Sequence, residues 1–122
     1  QLEVASVDHR RAFCFIDDGI EILCNLASNP KAVGSTFNLG NQEQEVSIGE
    51  VARIVLEITG RTDLKIVPLT ETSGSPARRC PDMTKTTNLI GPLPFVSLKE
   101  GVERTYKWYT ENVFSGGGVS AI

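Results

Sequence analysis

A chain of 122 residues, 40% hydrophobic and 22% charged, has room for one modest core and the balance of an ordinary folded domain. Its net charge of −3 speaks against nucleic acid or an anionic membrane surface as a partner, and no apolar run approaches the ~18 residues of a membrane span. Cys14, Cys24 and Cys80 form no C-x-x-C pair and the single His9 completes no zinc set, so reduced thiols in a cytoplasmic setting are expected and a metal site is not. Met83 is the only methionine, which suggests a fragment or a processed piece.

Taken in order, residues 1–11 open polar and extended, and the apolar run Ala12-Phe13-Cys14-Phe15-Ile16 predicts a buried strand. Asp18 is placed to cap a helix over 20–28, where Ile20, Leu23, Cys24 and Ala27 share one face and Ile22 and Leu26 widen it. A stripe that wide implies cover on more than one side. The segment 34–41 reads as a short strand entering a turn at Gly40, with Asn38 and Asn41 tying the turn to its own backbone. Ser47-Ile48-Gly49-Glu50 is a capping box, and Ile48, Val51, Ala52, Val55 and Ile58 then hold helical spacing as far as Gly60. A strand is predicted over 64–67, with Pro68 ending its pairing.

The stretch Ser75-Pro76-Ala77-Arg78-Arg79-Cys80-Pro81-Asp82 holds two arginines between two prolines. The prolines stiffen it toward an extended rail, and in an extended chain successive side chains point to opposite sides. One guanidinium, whose forked donors suit phosphate oxygens, can face a ligand while the other faces solvent or a carboxylate. A solvated arginine pair tied to nearby acids is the plainer reading of the same residues. Asp82 is placed to cap a short helix over 82–90, stopped by Gly91-Pro92. Ser97 to Glu100 form a second capping box, opening a last helix to about Val113 with Leu98, Val102, Tyr106, Tyr109 and Val113 on one face. The chain divides into one unit over 1–114 and a glycine-rich flexible tail over 115–122, and alternating strands and helices make the class α/β.

No G-x-G-x-x-G occurs, nor a Tyr-x-x-x-Lys pair, and His9 alone supports no triad. What does occur is an ordered set of motifs. Arg11-Ala12-Phe13-Cys14-Phe15-Ile16-Asp17-Asp18 comes first, then Phe37-Asn38-Leu39-Gly40-Asn41. Glu45-Val46-Ser47-Ile48-Gly49-Glu50-Val51-Ala52 follows, then Pro76 to Lys85, then Val96-Ser97-Leu98-Lys99-Glu100-Gly101-Val102. Over residues 10 to 112 this order resembles the C-terminal part of extended short-chain dehydrogenases acting on nucleotide sugars, the 4-epimerases, 4,6-dehydratases and UDP-glucuronate decarboxylases.

The resemblance implies the C-terminal substrate-binding portion of a Rossmann-type fold without its dinucleotide-binding half. It implies that Arg11 and Arg79 reach a nucleotide diphosphate, that Phe13 lines the nucleotide pocket, and that Asp82 orients the Arg79 strand or touches the sugar. NAD would be the cofactor, bound by the N-terminal half that this chain lacks, and no catalytic residue is assigned here. The partner implied is a nucleotide-diphosphate sugar. In that family the helix over 20–28 packs on the dinucleotide half, so its exposed face predicts a homo-oligomer. A non-catalytic nucleotide-sugar-binding or protein-interaction module is the alternative.

Overall fold

The structure, a computed structural model of the chain, describes residues 1–114; the tail expected over 115–122 lies outside the described residues. Its helices start where the sequence supplies donors and acceptors for their free ends. Ser47 caps α2 (Ile48–Ile58): its Oγ accepts from the Glu50 N–H at 3.1 Å while the Glu50 carboxylate accepts from the Ser47 N–H at 2.7 Å. A cap of this kind is worth about 1 kcal/mol. Ser97 caps α4 (Leu98–Tyr109) through the Glu100 N–H, but there the Glu100 carboxylate turns to Arg104, so only half of the predicted box forms.

The strands make two small sheets. β1 (Leu2–Ala5) runs parallel to β4 (Ile66–Leu69) with Leu2 opposite Ile66 and Val4 opposite Pro68. Pro68 therefore lies within the pairing rather than ending it. Leu2 takes the Lys65 carbonyl, so alternate residues Val67 and Leu69 face β1 and Pro68 turns its missing donor to the open edge. In the second sheet β2 (Arg10–Ala12) is central, antiparallel to β3 (Glu45–Ser47) and parallel to β5 (Arg78–Arg79). The α/β class holds.

Around these sheets α2 packs on β1, β4 and α4, and α1 (Ile16–Ala27) packs on α3 (Thr84–Ile90). Ile22, Ala52, Leu56 and Met83 form the buried centre. A side chain as enclosed as Ile22 contributes roughly 1.5–3 kcal/mol. The Phe15 ring sits against Gly101 of α4, where a Cβ would lie 3.1 Å from its Cδ2, so the residue before α1 packs closely on α4.

Further expectations change. The strand predicted over 12–16 ends at Ala12, because Phe13 and Phe15 turn into the core as a connection and α1 begins at Ile16. Asp18 is not the cap of that helix; Phe15 holds that position, and Asp18 is buried inside the first turn. On α1 the covered side is that of Asp18, Gly19 and Ile22, whereas Ile20 and Leu23 are half exposed. Residues 34–41 form no strand, since their polar groups are taken by side chains from α3: Lys85 donates to the Thr36 carbonyl and Thr86 to that of Asn38.

Candidate anion-binding face

The site begins with the alternation of β2. Successive residues of a strand point to opposite faces, so Arg10 and Arg11 part company. Parallel pairing sets Arg78 beside Arg10 and Arg79 beside Arg11. Each face of this small sheet thus carries two arginines, one from each strand. Their surroundings differ.

On the first face Glu45 of β3 takes both cations. Arg78 grips it with two parallel bonds, Nε to Oε1 at 2.8 Å and Nη2 to Oε2 at 2.7 Å. Arg10 adds Nε to Oε1 at 3.3 Å and donates from Nη2 to the Glu45 carbonyl at 2.7 Å. The Glu45 side chain is largely covered, at 16% exposure. The Arg78 hydrogen bonds, joined by the charges of Arg78 and Arg10, hold its carboxyl below the usual carboxylate range. Glu45 in turn pushes the Arg78 guanidinium up. The rail thus places one arginine on a carboxylate, as alternation predicts.

The second face has no such neutralisation. Arg11 donates to the Arg10 carbonyl at 2.7 Å and to Ser75 Oγ at 2.9 Å, both uncharged acceptors. Among the described residues the Arg79 side chain has no hydrogen-bond or ion-pair partner. Two adjacent cations on one sheet face repel each other. An anion with several oxygens relieves that repulsion and can accept from both forks.

Asp82, three residues past Arg79, is exposed. Its Oδ1 accepts from the Thr84 N–H at 2.9 Å, and the Thr84 side chain first, with that N–H second, holds the carboxyl below its usual range. α3 therefore starts at Thr84 behind Met83, one residue later than an Asp82 cap would place it. The Asp82 carbonyl accepts from Asn38 Nδ2 at 2.9 Å, so Asn38 braces this rail instead of building its own turn. Asn41 does build one, accepting from the Glu43 N–H at 3.0 Å. Asp82 borders an open polar concavity of about 330 Å³ with Gln42, Arg78, Cys80 and Pro81.

Phe13, two residues past Arg11, donates its N–H to the Gln44 carbonyl and puts its ring into an apolar cavity of about 300 Å³. Phe15, Val55, Val96 and Val102 share that cavity. The structure thus brings Arg11 and Arg79 together, sets Asp82 at the end of the same rail, and places Phe13 on the core side. Glu45, Gln42 and the bracing role of Asn38 were not visible in the sequence, where partners 33 to 44 residues away leave no local pattern.

A dinucleotide pyrophosphate requires a glycine turn that opens a helix after a strand. β3 does enter α2 directly, but the Ser47–Glu50 exchange fills that helix end. A Cβ on Gly49 would lie 2.8 Å from Val7 Cγ2, so this glycine admits a neighbouring side chain rather than a ligand. The described residues therefore do not fit a dinucleotide. Nor does any group of three His, Cys, Asp or Glu side chains among them suit a metal ion, and none of their helices is long and apolar enough to cross a membrane.

No protein-family model matches the chain. It is 34% identical over 108 residues to UDP-glucuronic acid decarboxylase 1 of Xenopus tropicalis, covering 88% of this chain and 25% of that protein. It is 41% identical over 103 residues to the putative GDP-L-fucose synthase 2 of Arabidopsis thaliana, covering 84% and 30%. The fold is similar to that of UDP-glucuronic acid 4-epimerase from Bacillus cereus, solved with UDP-glucuronic acid and NAD. The TM-score there is 0.78 at 24% identity, over 89% of this chain and 35% of the epimerase. The chain spans about a quarter to a third of the length of these proteins.

Proposed function

The chain belongs to the extended short-chain dehydrogenases of the NAD-dependent epimerase/dehydratase family, and we propose that it is the substrate-binding C-terminal part of an enzyme acting on a nucleotide-diphosphate sugar. The observation that carries this reading is the pairing of Arg11 with Arg79 on a sheet face where neither meets a carboxylate. A diphosphate supplies about two negative charges and the oxygens that two forks can share. Arg11 is already oriented by Ser75 and the Arg10 carbonyl, so little side-chain freedom is lost when it binds. In this reading Phe13 borders the nucleotide, and Asp82, fixed by Thr84, holds the end of the Arg79 rail or meets the sugar.

The reaction type is a 4-epimerisation, a 4,6-dehydration or a decarboxylation, which share oxidation at the sugar's C4. NAD, held by protein that this chain does not supply, would accept that hydride. A cytoplasmic homo-oligomer completes the reading. A module that binds without turnover is the rival, favoured by the half-exposed apolar side of α1.

Titration of UDP and GDP into Arg11→Ala, Arg79→Ala and Arg78→Ala proteins, followed by calorimetry, tests the proposal. Charge-assisted contacts of about 1.5–3 kcal/mol predict at least a tenfold loss for Arg11 and Arg79 and a much smaller one for Arg78. Equal losses at Arg78 and Arg79, or none at Arg11, would defeat it. Turnover of a nucleotide sugar by the longest polypeptide carrying this chain separates enzyme from module.

A further inference from the structure

Both β2 and β5 carry an arginine doublet, Arg10-Arg11 and Arg78-Arg79, and these doublets lie in register. Slipping a strand by one residue sends every side chain to the opposite face. In most sheets that exchange is opposed because it swaps apolar for polar groups. Here a slip would still leave one arginine of β5 on each face, so the doublets alone do not fix the register. Nor does the backbone hold β5 firmly: it is two residues long and pairs with β2 alone.

We propose that Glu45, by clamping Arg78, holds β5 against β2 and is a positioning residue for the anion-binding face. The proposal rests on the reading of Arg11 and Arg79 as the diphosphate grip. Among the described residues Glu45 is the one carboxylate in an ion pair with either doublet. Its two-oxygen grip on Arg78 fixes both distance and orientation, at 2.8 and 2.7 Å. A one-residue step along a parallel strand is about 3.3 Å, enough to break both bonds.

The neighbouring anchors hold the ends of the rail. Arg11 ties Ser75 before β5, while Gln42 and Asn38 tie residues 82 and 83 after it. Between them the Glu45 carboxylate is the side-chain grip on β5 itself. By claiming Arg78 it leaves Arg79 on the far side, next to Arg11. It touches no ligand, and its effect on binding passes through the strand.

The test uses the full chain with Glu45→Gln, and Glu45→Ala as a second variant. The Arg10 amide donates to the Ala77 carbonyl at 2.8 Å and reports on the β2–β5 pairing. Its hydrogen exchange should accelerate about tenfold in both variants while the amides of α2 keep their wild-type rates. UDP should bind about threefold more weakly, as it should in Arg78→Ala, which breaks the same grip, and Glu45→Gln added to Arg78→Ala should cost little more. An unchanged Arg10 exchange rate, or fully additive losses from Glu45→Gln and Arg78→Ala, overturns the proposal. If Arg11→Ala and Arg79→Ala leave UDP binding intact in the otherwise wild-type chain, the diphosphate reading fails. The exchange arm then decides the Glu45 claim alone: acceleration supports the hold on β5, and its absence refutes it.

Discussion

Asp18 accepts a hydrogen bond from the Val96 N–H, Oδ2 to N at 3.0 Å, across 78 residues of sequence. The carboxylate is buried, at 8% exposure, in the first turn of α1. Negative charge is favoured at that end of a helix. The bond ties α1 to the segment that delivers Ser97 and α4. Asp18→Ala leaves the Val96 donor without its partner and should cost about 1.5–3 kcal/mol, and Asp18→Asn less because the amide oxygen still accepts. Urea unfolding of the two variants measures this; equal stability to wild type would show that the bond carries no weight.

The caps give a second prediction. Ser47→Ala should cost about 1 kcal/mol, and Ser97→Ala somewhat less because its box is half formed. Neither should change UDP affinity once the folded fraction is accounted for. A binding defect in stably folded Ser47→Ala protein would identify Ser47 as part of the site.

The pH dependence follows from Glu45. Arg78 and Arg10 make it ionise more readily folded than unfolded. Its contribution is therefore complete above the unfolded value, about 4.3, and is lost as pH falls through the lower folded value. β5 should loosen as pH falls through that lower value. Arg10 exchange, corrected for its intrinsic pH dependence, should show an acid step that Glu45→Gln lacks. Asp82 is shifted the same way by its bonds with Thr84, so Asp82→Asn is the control. A step that persists in Glu45→Gln would assign it elsewhere.

Association is the fourth. Ile16, Ile20 and Leu23 are each at least half exposed on one side of α1, and Leu39 lies against it at Gly19. Contiguous apolar surface of this kind favours self-association. Light scattering across a dilution series should show dimers or larger species that Ile20→Lys with Leu23→Lys disperses. A monomer at high concentration without those changes would remove the oligomer from the reading.

What the sequence made legible was whatever is written locally. α2 and α4 were visible because a serine, a glutamate three residues on and an apolar period all lie within a few turns. The arginine rail was visible because prolines constrain their immediate neighbours. The strand at Ala12-Phe13-Cys14-Phe15-Ile16 was misplaced because its apolar character serves a connection packed against α4, and a run that short does not distinguish the two. Asp18 has the chemistry of a cap, and only the distant Val96 N–H redirects it. Phe37-Asn38-Leu39 looked like a strand until Lys85 and Thr86 claimed the neighbouring carbonyls. At the site, Arg11 and Arg79 could be named one by one, but their adjacency is a matter of strand pairing across 68 positions that no local pattern records.

The brevity of β5 also bears on proteolysis. Arg78-Arg79 is a dibasic sequence on an exposed strand, the kind of peptide that trypsin-like proteases take into their clefts in extended form. While it pairs with β2 one side of its backbone is already occupied, so cutting there must await local opening. The rate of nicking after Arg79 thus becomes a clock for the opening of this one strand. An occupied anion-binding face should slow that clock without any change in the stability of the helices.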